Sequence, residues 1–143
     1  LPSLWPEIKA RLAGAVVLAH GAGTERRFLR TFPMHGFGPW VDTLALARAL
    51  MPDLPDHSLA AVVSASGLEH ELRAACPEFG WHDALFDAVA CLVVLRHFIA
   101  HYGMENLVVG QLASPDAAAY YRDRRMKRLA RQTGFDMSGQ GAV

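Results

Sequence analysis

A short apolar strand among helical segments constrains the fold of this chain more than any other feature. Residues 15–19, Ala-Val-Val-Leu-Ala, are uniformly apolar and β-branched at their centre, which is typical of a short buried strand. The segments around them have helical patterns instead. A buried strand needs hydrogen-bond partners for its backbone, and a lone strand has none. The pattern therefore predicts that the strands that pair with residues 15–19 lie outside this chain.

Helical signals account for most of the remaining sequence. Asp42 is a good N-cap for a helix that ends before Pro52, and a second helix is expected from about Leu59 to Ser66. Asp83 is placed to cap the longest helix, residues 84–102. That helix is apolar around most of its circumference, so it should be largely buried. A basic helix is expected at residues 115–132, followed by a loose tail.

Length, charge and cysteine content narrow the class of protein. The chain has 143 residues, which fits one domain, and its 14 Lys and Arg balance 14 Asp and Glu, so any charged partner must meet a local patch. Cys76 and Cys91 have neither C-x-x-C spacing nor a disulfide framework, which predicts buried apolar roles in a reducing cytoplasm. The longest uncharged apolar run, residues 88–95, is far shorter than the roughly 20 residues that span a bilayer, so no membrane segment is expected.

Four segments have motifs that bear on chemistry. Residues 16–29, Val-Val-Leu-Ala-His-Gly-Ala-Gly-Thr-Glu-Arg-Arg-Phe-Leu, combine an apolar strand, a histidine at its end and an acidic residue, Glu25, five positions after that histidine. Residues 82–88, His-Asp-Ala-Leu-Phe-Asp-Ala, match H-x-A-x-x-D-A at every fixed position. Between them lie Trp-Val-Asp-Thr-Leu-Ala-Leu-Ala-Arg at residues 40–48 and His-Ser-Leu at residues 57–59.

In this order, the four segments resemble the DnaQ-like, DEDDh-type 3′→5′ exonucleases, a family that includes the proofreading epsilon subunit of bacterial DNA polymerase III and ribonuclease T. The resemblance covers about residues 4–102 and implies an α/β, ribonuclease H-like exonuclease fold. The family's first motif, D-x-E, is absent, because no Asp in the chain is followed two residues later by Glu. The resemblance therefore implies a truncated domain that is mainly helical with one or two short strands. Residues 1–113 would be its C-terminal part, and residues 114–143 a basic helical segment with a loose tail.

The resemblance implies removal of 3′-terminal nucleotides from DNA or RNA by two-metal-ion phosphodiester hydrolysis. Two divalent ions about 4 Å apart stabilise charge on the attacking and leaving oxygens, and carboxylate ligands favour Mg²⁺ or Mn²⁺. Asp87 and Glu25 would be metal ligands, and His82 would be the general base. His20 and Gly21 would contact the substrate. Two positions depart from the family, which usually has Asp at position 25 and Asn at position 21.

Each of these residues also has a purely structural interpretation. Asp87 and Glu25 could be ordinary acids near a helix N-terminus, where the helix dipole favours them. His82 could be a surface or capping histidine, and His20 could simply end the strand. Six basic residues against one acid on the C-terminal helix could bind a phosphate backbone or form a solvated face: Arg122, Arg124, Arg125, Lys127, Arg128 and Arg131, against Asp123.

Partners and rival functions complete the sequence-based expectations. Single-stranded DNA or RNA 3′ ends are the expected substrates, with a polymerase or other subunit as a second partner, and the oligomeric state is open. The chain alone should be inactive, because it lacks the two carboxylates of D-x-E. A non-catalytic module that binds nucleic acid or a partner on the same scaffold is the alternative. Residues 16–23 also resemble the strand and oxyanion loop of an α/β-hydrolase, but the chain has no G-x-S-x-G elbow.

Overall fold

Eight α-helices and two short strands follow one another in residues 2–133, the part of the chain that the computed structural model describes. The helices are α1 (Trp5–Leu12), α2 (Gly23–Leu29), α3 (Thr43–Leu50), α4 (Leu59–Ala65), α5 (Glu69–Ala75), α6 (Ala84–His101), α7 (Val109–Leu112) and α8 (Ala118–Thr133), and the strands are β1 (Val17–Ala19) and β2 (Trp40–Asp42). The mainly helical chain with one or two short strands was predicted correctly. The expected loose tail lies outside the described residues.

The two strands form a parallel pair, and β2 corrects the sequence-based prediction. Val17 pairs with Trp40, and Ala19 pairs with Asp42. The prediction that the partners of residues 15–19 lie outside the chain is therefore wrong for one edge of the strand, which β2 occupies. The prolines and glycines of residues 33–39 favour a loop and hide the three-residue strand that follows. Within the described residues, no third strand pairs with this sheet.

Asp42 ends β2 and begins α3, as its predicted role of N-cap requires. Its Oδ1 accepts hydrogen bonds from the backbone N–H of Leu44 at 2.9 Å and of Gly21 at 2.8 Å. Its Oδ2 accepts one from the N–H of Ala22 at 3.0 Å. One carboxylate therefore satisfies orphan donors of α3 and of the loop that follows β1. It holds the C-terminal ends of the two strands together.

Helix α6 lies at the centre of the core. Asp83 caps it as predicted, since its Oδ1 accepts from the N–H of Leu85 and of Phe86. The helix packs against α4, α5 and β1 and buries Phe86 and Phe98 almost completely. Each such phenylalanine contributes about 1.5–3 kcal/mol through burial of its side chain. By length and composition alone, with a mean hydropathy of 1.6, α6 could also cross a membrane, and core helices have the same properties.

Helix α5 was not predicted from the sequence. Charged and polar residues at positions 69–71 conceal its apolar side, which consists mainly of Leu68 just before the helix and Leu72 within it. Both leucines are buried against the core around α6. Packing in the tertiary structure therefore stabilises a short helix whose own sequence has a weak amphipathic pattern.

Candidate functional site

His20 lies at the C-terminal end of β1 and is bonded through both ring nitrogens. Its Nε2 lies 2.8 Å from the carbonyl oxygen of His57, which can only accept, so Nε2 bears a proton. Its Nδ1 lies 3.0 Å from the hydroxyl of Thr43, a fully buried residue. The imidazole thus connects β1, the start of α3 and the turn at His57. This contact is structural, and substrate binding by His20 stays a prediction.

Gly21 has a structural reason to be glycine. Its φ of +83° is in the left-handed region that favours glycine, and its N–H bonds to Asp42. A Cβ at this position would lie 3.4 Å from Cδ2 of Leu44, at the tight end of van der Waals contact. This backbone conformation is open to glycine and also to the family's Asn, so it does not explain the departure. Contact of Gly21 with substrate stays a prediction.

Asp87 lies in the first turn of α6 with one oxygen in an unusual state. Its Oδ1 is buried and has no hydrogen-bond partner among residues 2–133. Buried polar atoms are nearly always paired, and an unpaired one costs about 1–3 kcal/mol or more if it is charged. A carboxylate in this state fits a site in which a cation is the missing partner.

Three carboxylates from different elements act electrostatically on the buried thiol of Cys91. The pKa of this thiol is raised to about 11, mainly by burial; the negative charges of Asp87, Glu25 and Asp42 act in the same direction, and a hydrogen bond with Thr43 acts in the opposite one. Asp87 is one helical turn before Cys91 on α6, and Glu25 is an exposed residue of α2. That Glu25 and Asp87 form one metal site stays a prediction.

Asp42 and Cys91 were not predicted as parts of this cluster. Asp42 was interpreted as a helix cap, and its two oxygens are indeed occupied by backbone N–H groups. Cys91 was interpreted as a small buried hydrophobe, and it is buried. No local motif signals the electrostatic effect of Asp42 and Glu25 on Cys91, because these residues are far apart in sequence. Of the three carboxylates, Asp87 and Glu25 are the two whose oxygens are not used by the loop after β1.

His82 is exposed in the turn directly before the cap of α6. Its φ of +73° is rare for a residue other than glycine. Such conformations cost of the order of 1–3 kcal/mol and are found mostly at functional sites. His82 lies five positions before Asp87 in sequence, in a turn rather than on a helix face. The helical repeat therefore does not set the direction of its side chain.

Metal binding by Asp87 and Glu25 stays a prediction. Within residues 2–133, no group of three or more His, Cys, Asp or Glu side chains is arranged to hold a metal ion. Mg²⁺ takes six oxygen ligands and commonly keeps several waters, with one or two carboxylates from the protein. Asp87 and Glu25 fit that smaller set of protein ligands. Any second ion would need further carboxylates, such as those of the D-x-E motif.

Partial burial of His20 predicts that the free energy of unfolding depends on pH. Burial lowers the pKa of His20, and this outweighs the opposing effects of the His57 carbonyl and Asp42. His20 therefore binds fewer protons in the folded state than in the unfolded state. Its contribution to the free energy of unfolding is fully present above about pH 6.5 and is lost as the pH falls below that value. Urea titrations of the parent and of His20→Gln at pH 8 and pH 5.5 measure this. The variant should lose part of the pH dependence, and an identical dependence in both would contradict the assignment.

Two curated proteins are similar to this chain. They are the PolC-type DNA polymerase III of Thermotoga maritima, 34% identical over 99 residues, and that of Thermotoga petrophila, 33% identical over 99 residues. The aligned region covers 66% of this chain and 7% of each relative, so the chain spans a small part of their length. No family model matches the chain, and no solved structure matches it significantly. The similarity indicates a relation to part of a DNA polymerase III of the PolC type.

Proposed function

We propose that this chain is the C-terminal part of a DnaQ-like 3′→5′ exonuclease domain with a ribonuclease H-like fold. It would remove 3′-terminal nucleotides from single-stranded DNA or RNA. The observation that supports this most is the buried Oδ1 of Asp87, which has no hydrogen-bond partner within residues 2–133. The similarity to DNA polymerases III of the PolC type adds a polymerase context.

Asp87 and Glu25 are the residues that would hold Mg²⁺ or Mn²⁺. When bound, such ions offset negative charge on the phosphate and promote deprotonation of water. Asp87 projects from the first turn of α6, whose core packing restricts its motion. Glu25 is on the short and exposed helix α2, so its carboxylate has more freedom. Asp87 is therefore the better-oriented ligand of the two.

His82 would act as the general base. Histidine changes charge near neutral pH, which suits the removal of a proton from an attacking water. Its exposed position in a strained turn, just before the helix that holds Asp87, leaves the imidazole accessible to solvent and substrate. The neutral imidazole would accept the proton of the water that attacks the terminal phosphodiester.

A non-catalytic binding module is the second candidate function. It is favoured by one observation: within residues 2–133, no group of three or more potential metal ligands is found, and the sequence contains no D-x-E motif. Both functions predict binding of nucleic acid, and only the exonuclease predicts that a divalent metal is needed for release of nucleotides. Metal dependence in the intact protein therefore separates them.

Glu25→Asp should preserve or raise the activity of the intact protein, because it restores the carboxylate that the resembled family usually has. Glu25→Gln should lower activity at least about tenfold, because the amide is a weaker metal ligand. The measurement is release of nucleotides from a 3′-labelled single strand, with and without chelator. Glu69→Asp makes the same change in the first turn of α5 and is the matched control. Full activity of Glu25→Gln would remove Glu25 from the metal site.

A further inference from the structure

A cleft of about 840 Å³ lies between α8 and the segment formed by α3 and residues 52–58. The face of α8 that lines it contains Tyr120, Asp123, Arg124, Lys127, Arg128 and Arg131. Arg48 of α3 lines the opposite side. None of Glu25, His82 and Asp87 lines this cleft, so it is separate from the proposed catalytic residues.

The cleft is positively charged although the whole chain is neutral. Five Lys and Arg side chains line it, against three Asp side chains. Two of the acids are already engaged: Asp123 pairs with Lys127 at 2.7 Å, and Asp56 accepts from the N–H and hydroxyl of Ser58, each at 2.8 Å. Within residues 2–133, no salt bridge involves Arg124, Arg128 or Arg131. Their charge is therefore available to an anionic ligand.

Arg48 is held at the wall of the cleft by two tyrosines. Its guanidinium lies 5.3 Å from the ring centre of Tyr120 and 6.0 Å from that of Tyr121, and Nη1 donates to the Tyr121 hydroxyl at 3.3 Å. Its Nε is buried and lacks a hydrogen-bond partner in the described part of the chain. Tyr120, which lines the cleft, is partly buried, and Tyr121 does not line it. A guanidinium held in this way is suited to phosphate contacts.

We propose that this cleft binds the sugar-phosphate backbone of a single-stranded nucleic acid. Arginines at positions 124, 128 and 131 follow one face of α8 over about 10 Å, which forms a row of cations along the cleft. A positive groove combined with aromatic rings is the usual arrangement of proteins that bind single strands without sequence preference. The inference rests on the proposed function for its choice of nucleic acid as the anionic ligand.

One end of the cleft lies at the end of β1, because His20 lines it. The hydrogen bonds of His20 to Thr43 and His57 fix this end of the cleft relative to the strands. Because none of Glu25, His82 and Asp87 lines the cleft, it would supply affinity that does not depend on metal.

The test uses fluorescence anisotropy to measure how tightly the full 143-residue chain binds a fluorescein-labelled oligothymidylate in excess EDTA. Arg124→Gln with Arg128→Gln should weaken binding about tenfold at 0.15 M salt, and the slope of log K against log salt should become shallower by about 1.4, since each phosphate contact contributes about 0.7. The matched control is Arg122→Gln with Arg125→Gln, which removes the same charge from α8 outside the cleft. It should weaken binding less than about twofold.

Several results would overturn the proposal. Equal losses in the two double variants would mean diffuse attraction to the helix, and no loss in either would mean binding elsewhere. Tighter binding of a duplex of the same length would exclude a single-strand site. A protein that binds through the cleft but releases no nucleotides when intact would reject the exonuclease and leave the binding cleft supported. Circular dichroism of each variant checks that α8 is retained.

Discussion

Asp87→Ala is expected to abolish the release of 3′-terminal nucleotides that depends on Mg²⁺ or Mn²⁺ in the intact protein. The substitution removes the best-oriented carboxylate of the proposed metal site, which is rigid because it lies in the first turn of the core helix α6. The buried oxygen without a hydrogen-bond partner is the one that a cation would use. Loss of this ligand from the metal site of the intact protein should lower the rate by at least about 10³-fold. The rate is measured by release of nucleotides from a 3′-labelled single strand.

Two further variants make this result specific. Asp87→Asn keeps the size and shape of the side chain but not its charge, and it should be as inactive as Asp87→Ala. Glu105→Ala removes an exposed acid from the turn after α6 and should leave the rate unchanged. An Asp87→Asn protein as active as its parent, or release that continues in excess chelator, would rule out the proposed mechanism.

His82→Asn is expected to lower the turnover of the intact protein by about 10²–10⁴-fold, the range for loss of a general base. Asn is the better replacement because it accepts the left-handed backbone conformation that His82 adopts, whereas Ala would add strain. The parent rate should fall at low pH, because a protonated imidazole cannot accept a proton. The variant should lose this acidic limb, and the pH profile of kcat measures both effects.

A purely structural role of His82 predicts a different outcome. If the role of His82 is structural, His82→Gly should be active, because glycine adopts this φ without strain. If His82 is the general base, glycine cannot replace it. His70→Asn changes an exposed histidine of α5 and is the control. A His82→Asn enzyme with the parent's acidic limb and only a small loss in rate would exclude the general-base role.

Local signals in the sequence were sufficient for the helix caps and the longest helix. Asp42 and Asp83 act as N-caps at the predicted positions, because a cap is formed by one side chain and the N–H groups of the next few residues. The continuous apolar run of α6 predicted a largely buried helix, and this was wrong: one face is buried, whereas Leu85 and Leu92 are 54% and 53% exposed. The motifs around residues 25, 82 and 87 also indicated the candidate chemistry, through their resemblance to a family of exonucleases.

The tertiary structure alone determined the pairing and convergence of these elements. Strand β2 was hidden by the prolines and glycines before it, and it forms because its register with β1 buries Trp40 and Val41. The electrostatic effect of Glu25 and Asp42 on Cys91 joins elements far apart in sequence, and the basic cleft depends on how α8 packs against α3. These contacts join residues far apart in sequence, and their stability comes from burial shared among several elements. Caps and helical periodicity involve only neighbouring residues, so the sequence by itself determined them.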